Sequence, residues 1–147
     1  MNQALIELLN KEVANCTVMY MKLHNFHWFI KGSHFFALHE KFEELYDEIT
    51  DFLDQIAERI LMLNHKPLAT LQSCLSQSTI KEIDEVKKED DMIRILIEDY
   101  ETIRQELVQG ITLANENGDD VTSDLLIQMK AKLDKHIWMF KALLDKN

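Results

Sequence analysis

The side chains of this 147-residue chain best suited to chemistry lie in one stretch: His39 with Glu43, then Asp54 with Glu58. Each pair is spaced i, i+4, which on a helix puts both members on one face, close enough to share an ion. At 1.5 Å per residue the pairs lie about 16 Å apart along the axis, so they cannot meet within one helix. Their positions are symmetric about residues 48 and 49. An antiparallel two-fold contact between two copies therefore sets each pair opposite the other and creates two identical sites. Histidine with several carboxylates and no thiolate suits iron, manganese or zinc and argues against a closed structural zinc site. Carboxylates that bridge two ions also leave positions open for an oxidant. The same four residues read just as well as solvated helix charges and an interfacial histidine.

These residues need a helix to position them, and apolar spacing supplies one. Leu38, Phe42, Leu45, Ile49, Phe52, Leu53, Ile56, Ile60 and Leu63 form a single stripe that ends at the "NHKP" breaker, Asn64 to Pro67. On a wheel at about 100° per residue with Leu45 at zero, the stripe covers roughly −20° to 80°. His39, Glu43, Asp54 and Glu58 fall at about 120° to 220°, interleaved with Tyr46, Ala57 and Leu61. A flank of this mixed character suits a subunit interface that holds a polar site.

An earlier stripe runs from about Ala4 to Ile30 and is stopped by Gly32 and Ser33. Residues 68 to 89 are irregular, with a short helical piece expected around Leu71 to Leu75 and a capping-box spelling at Thr79 and Glu82. Two further stripes run from Ile93 to Ala114 and from Val121 to Leu144, separated by "NENGDD". Four long helices joined short, long, short predict an all-α four-helix bundle in which the long link crosses the bundle's length, the ferritin-like connectivity. An up-and-down bundle is the alternative. One domain over residues 1–147 fits the length, and three Gly with one Pro fit a chain of helices.

The formal charge of −10 repels phosphate backbones and anionic membranes and favours cationic ligands. Lys11 and Lys22 are the only lysines of the first stripe, and the C-terminus "KALLDKN" has no basic extension, so DNA binding by charge is not expected. Cys16 and Cys74 stand in unrelated contexts without a C-x-x-C, which fits idle thiols in a reducing compartment. No apolar run suits a membrane span or a secretion signal, so a cytoplasmic location is expected.

Beyond these physical readings, "LHNFHW", "FFALHEKFEELYDEITDFLDQIAERIL", "GDDVTSDLL" and "DKHIWMFKALL" resemble the Dps family, the ferritin-like mini-ferritins of bacteria. The likeness covers nearly the whole chain. It implies a hollow dodecamer, built from two-fold dimers, that oxidises iron(II) with hydrogen peroxide in preference to oxygen and stores the ferric mineral inside. It also implies two irons per inter-subunit ferroxidase site, held by His27, His39 and Glu43 of one subunit and by Asp54 and Glu58 of its mate. Glu43 departs from the Asp that many members carry.

By the same resemblance Trp28 stands beside the site and gives electrons to excess oxidant; an interfacial anchor would look the same. Asp120 and Asp124 would line a three-fold pore, with Glu116 a weaker candidate and Asn115 thinning the acidic ring. Acids there, Asp119 included, also suit a helix N-terminus without any pore. His24 and His34 read as structural, and His65 and His136 have no ligand partner at helical spacing. Two other functions stay open beside ferroxidation: a DNA-associating stress protein and a metal-free helical scaffold.

Overall fold

The computed structural model describes residues 2–145. Its elements are α1 (Gln3–Phe29), α2 (Phe35–Met62), a short α3 (Leu71–Gln77), α4 (Glu89–Glu116) and α5 (Asp120–Leu144). All four apolar stripes are helices, and their inward faces make one core that includes Leu9, Met19, Phe26, Phe42, Ile49, Ile56, Tyr100 and Met129, each fully buried. Gly32, at φ +133, makes the tight turn from α1 to α2. Gly110 on α4 has no room for a side chain: a Cβ there would lie 2.5 Å from a Leu8 methyl and 2.8 Å from a Leu126 methyl.

The long link can be traced by its bonds to α1. Asn10 accepts from the Leu68 amide at 2.9 Å and donates to the Lys66 carbonyl. Asn15 Oδ1 accepts from the Thr79 amide at 2.8 Å and the Ser78 hydroxyl at 2.7 Å. Lys22 donates to the Lys81 carbonyl at 2.8 Å, and Asn25 donates to the carbonyls of Ile83 and Asp84. Four polar residues of α1 thus fasten the link in order, from one end of the helix to the other. Such a path carries the chain across the whole bundle, so α2 and α4 start at the same end. His34 at the start of α2 indeed meets Glu89 at the start of α4, at 2.5 Å. The result is the ferritin-like arrangement, with α3 riding in the crossover.

One local expectation fails. The capping-box spelling at Thr79 and Glu82 starts no helix, and the chain is irregular from 78 to 88. The Thr79 amide is bound by Asn15, and its hydroxyl accepts from Asn15 Nδ2 at 3.0 Å while donating to Glu106 at 2.8 Å, so both groups are engaged elsewhere and do not cap a following turn. Thr70 caps α3 instead, accepting from the Ser73 amide.

Candidate metal centre

His27 closes α1, and His39 lies one turn into α2, so the Gly32 turn brings them face to face. Their rings stack 3.7 Å apart and nearly parallel, at 13°. Each donates from Nδ1 to the other's backbone carbonyl: His27 to His39 O at 2.6 Å and His39 to His27 O at 2.7 Å. A carbonyl can only accept, so the proton sits on Nδ1 in both rings. Nε2 is therefore the ring atom left to a metal ion in each histidine. Glu43, one turn after His39, brings Oε1 to 3.9 Å from His27 Nε2. His27 is only 8% exposed while the Glu43 side chain is 55% exposed, so the pair is a rigid wall beside a movable acid.

Aromatic rings back this wall. Tyr46 meets His27 edge-on, with centroids 5.5 Å apart, and stacks on His24 at 3.7 Å. Burial, then the charges of Glu43 and Asp47, push the Tyr46 phenol upward, which keeps it neutral. His24 is also tied down by donating to the Tyr20 carbonyl at 2.6 Å, so its ring is a structural spacer. Trp28 is 61% exposed and stands 5.2 Å from the His24 ring. The i, i+4 run Tyr20, His24, Trp28 was the available signal for this cluster.

Asp54 and Glu58 also lie on α2, further along and exposed. Neither makes a hydrogen bond or ion pair within the described residues. Asp54 lines a cleft of about 600 Å³ between α1, α2 and the start of α3, bordered by Thr17, Ala57, Leu71 and Cys74. Glu58 shares a shallower groove with Val121, Asp124 and Gln128 of α5. The chain therefore unites His27, His39 and Glu43 and leaves Asp54 and Glu58 apart from them. Among the described residues, no three His, Cys, Asp or Glu side chains converge closely enough to hold a metal ion.

The acids near the start of α5 divide in the same way. Asp119 caps α5 by accepting from the Thr122 amide at 3.0 Å, and it pairs with Arg59 of α2 at 2.9 Å. Partial burial works to raise its pKa, but the Thr122 bonds and the Arg59 guanidinium outweigh it and hold the carboxyl below the usual range. Asp120 and Asp124 are exposed, and Asp124 accepts from Gln128 at 2.8 Å. His136 is not idle: its Nε2 lies 2.9 Å from Glu48 across the bundle, a partner too distant in sequence for helical spacing to reveal.

Residues 6–147 match the ferritin-like domain family. The fold superposes on the crystal structure of Dps from Staphylococcus aureus with a TM-score of 0.96 at 46% identity, covering 99% of this chain and 97% of that one. The chain belongs to the Dps family. Among Dps relatives it is 46% identical to DNA protection during starvation protein 2 of Bacillus anthracis over 145 residues, 99% of each chain. It is likewise 46% identical to general stress protein 20U of Bacillus subtilis over 144 residues, 98% of this chain and 99% of the relative. The likeness to these Dps relatives runs along nearly the full length of both chains.

Proposed function

We propose that this protein is a ferroxidase and iron store whose sites form between two-fold-related copies, six such dimers making a hollow dodecamer. The observation that carries the proposal is the reciprocal His27–His39 lock, which turns two Nε2 atoms outward beside Glu43. That half-site lacks carboxylates of its own beyond Glu43. Asp54 and Glu58 stand unpartnered at the symmetric distance along α2, where a second copy in antiparallel contact would present them. The ligand set is then two histidines and three carboxylates, suited to two iron(II) ions.

Iron is the substrate. Each of two ions gives up one electron, the peroxide O–O bond breaks with both electrons delivered, and both oxygens leave as water or enter the ferric oxide. Delivering the pair together avoids hydroxyl radical, so storage and protection are one reaction. Asp54 and Glu58 would hold one iron, Glu58 bridging or binding it more tightly, and the histidines and Glu43 would serve the weaker second position. Twelve chains at −10 carry on the order of −120 formal charges, a field that concentrates cations at the shell. Asp120 and Asp124 lead iron inward through three-fold pores, and Trp28 supplies electrons when oxidant exceeds iron. Among the described residues no helix is long and apolar enough to cross a membrane. We assign the protein to the reducing cytoplasm.

The test is anaerobic loading with iron(II) followed by stoichiometric peroxide, comparing wild type with an Asp54→Ala, Glu58→Ala variant of verified assembly. Rapid oxidation of about two irons per peroxide by the wild type alone supports the reading. Rates equal to buffer for both would leave the helical-scaffold or DNA-associating readings.

A further inference from the structure

Away from the metal centre, the bundle interior holds a pair of carboxyl groups that iron chemistry does not use. Glu12 of α1 is fully buried, and Glu106 of α4 is 7% exposed. Their surroundings differ. Glu106 accepts from Asn15 Nδ2 at 2.8 Å and the Thr79 hydroxyl at 2.8 Å, and Lys11 Nζ stands 3.7 Å away. Two donors and a cation thus serve the Glu106 carboxyl. Glu12 receives only a longer bond from Asn15, at 3.2 Å on Oε1. Its Oε2 is buried with no donor to serve it. An ionised carboxylate left so would bear a heavy desolvation cost. A protonated one needs no donor at that oxygen, because it becomes the donor itself.

We propose that Glu12 is a neutral carboxylic acid sharing its proton with Glu106, and that this shared proton latches the crossover at residues 78–80 onto α1 and α4. The latch is built through Asn15. Its Nδ2 donates to Glu106 at 2.8 Å and, shared with the Thr79 hydroxyl at 3.0 Å, more weakly to Glu12 at 3.2 Å, while its Oδ1 holds the Thr79 amide and the Ser78 hydroxyl. The Thr79 hydroxyl then closes the ring back to Glu106.

From α1 come Lys11, a partial counter-charge with its side chain 30% exposed, and the Cys16 thiol, which burial and then Glu12 push well above its ordinary value. From α4 comes Glu106 alone, and the crossover contributes hydroxyls and an amide but no charge. With one proton the site carries one negative charge against Lys11; without it, two buried carboxylates repel. Burial, then the hydrogen bond and charge of Glu106, raise the Glu12 pKa well above the usual carboxylate range.

The sign follows. A pKa raised in the closed state means that opening releases a proton, so the latch is strongest at low pH and weakens as pH climbs toward the closed-state value. This device is independent of iron.

Infrared spectroscopy of the assembled, iron-free protein at neutral pH should show a protonated carboxyl band. Glu12→Gln should abolish it, and Glu106→Gln should leave it. Hydrogen exchange of residues 78–84, corrected for intrinsic rates, should lose protection about tenfold per pH unit as pH rises above the ordinary glutamate value of about 4.3 toward the closed-state value, the slope for one proton released on opening. In Glu12→Gln, whose amide still donates to Glu106, protection should persist and the slope vanish. No band in the wild type, a band unchanged by Glu12→Gln, or flat protection in the wild type would each overturn the proposal.

Discussion

The two halves of the candidate centre share α2 yet are built in opposite ways. The histidine half is finished inside one chain: two rings stacked at 3.7 Å, each bonded to the other's backbone and backed by Tyr46. In the acidic half, Asp54 and Glu58 are exposed, with no hydrogen bond or ion pair among the described residues. Groups that need a fixed tautomer are locked by the fold before any ion arrives, whereas carboxylates accept from any direction and can wait for a second copy. Removing a locked group should therefore cost stability as well as activity, and removing a waiting group should cost activity alone.

The largest expected effect breaks the acidic half. Asp54→Ala with Glu58→Ala should reduce peroxide-driven iron oxidation to the buffer rate, while thermal unfolding changes by no more than about 0.5 kcal/mol per site, as for exposed residues without partners. A stability loss as large as the activity loss would erase the contrast. Next comes His39→Ala. It should impair oxidation severely and also destabilise the chain by about 1–3 kcal/mol, because the His27 carbonyl loses its donor and the stacked ring is gone. Denaturant titration of the iron-free protein reads this without reference to activity.

A smaller effect concerns the acids of α5, where the same contrast recurs. Asp119→Ala should cost about 1–2 kcal/mol through the lost cap and the stranded Arg59. Because the Asp119 pKa is lowered in the fold, its contribution is fully present above the ordinary aspartate value of about 3.9 and is lost as pH falls through the folded value. Wild type and Asp119→Asn should therefore converge in acid and diverge at neutral pH. The smallest effect belongs to Asp120→Asn with Asp124→Asn: iron oxidation slowed a few-fold, stability unchanged, and the salt dependence of uptake flattened, which stopped-flow at two ionic strengths would show.

Much of this was legible in advance because periodicity reports what one helix does by itself. The Leu38 to Leu63 stripe and its flank of His39, Glu43, Asp54 and Glu58 emerge from spacing alone, as does the break at Pro67. Asn15, Lys22 and Asn25 were passed over, because a polar residue that binds a distant backbone carbonyl or amide looks like any solvated residue in a linear pattern. Thr79 misled for the same reason. Its capping-box spelling is local, but Asn15 and Glu106, which claim it, lie 64 and 27 residues away.

The sequence by itself determined the helices, their apolar faces, the long crossover and the symmetric spacing of two possible ligand pairs, since each follows from the fixed rise and turn of a helix. Only the tertiary structure decided which nitrogen of His27 and His39 faces outward, that Asp119 is bound to Arg59 while Asp120 stays free of such a role, and that Glu12 and Glu106 meet in the core. Those outcomes depend on groups far apart in the chain approaching within hydrogen-bonding distance. No helical period encodes that approach, because packing of one helix against another sets it.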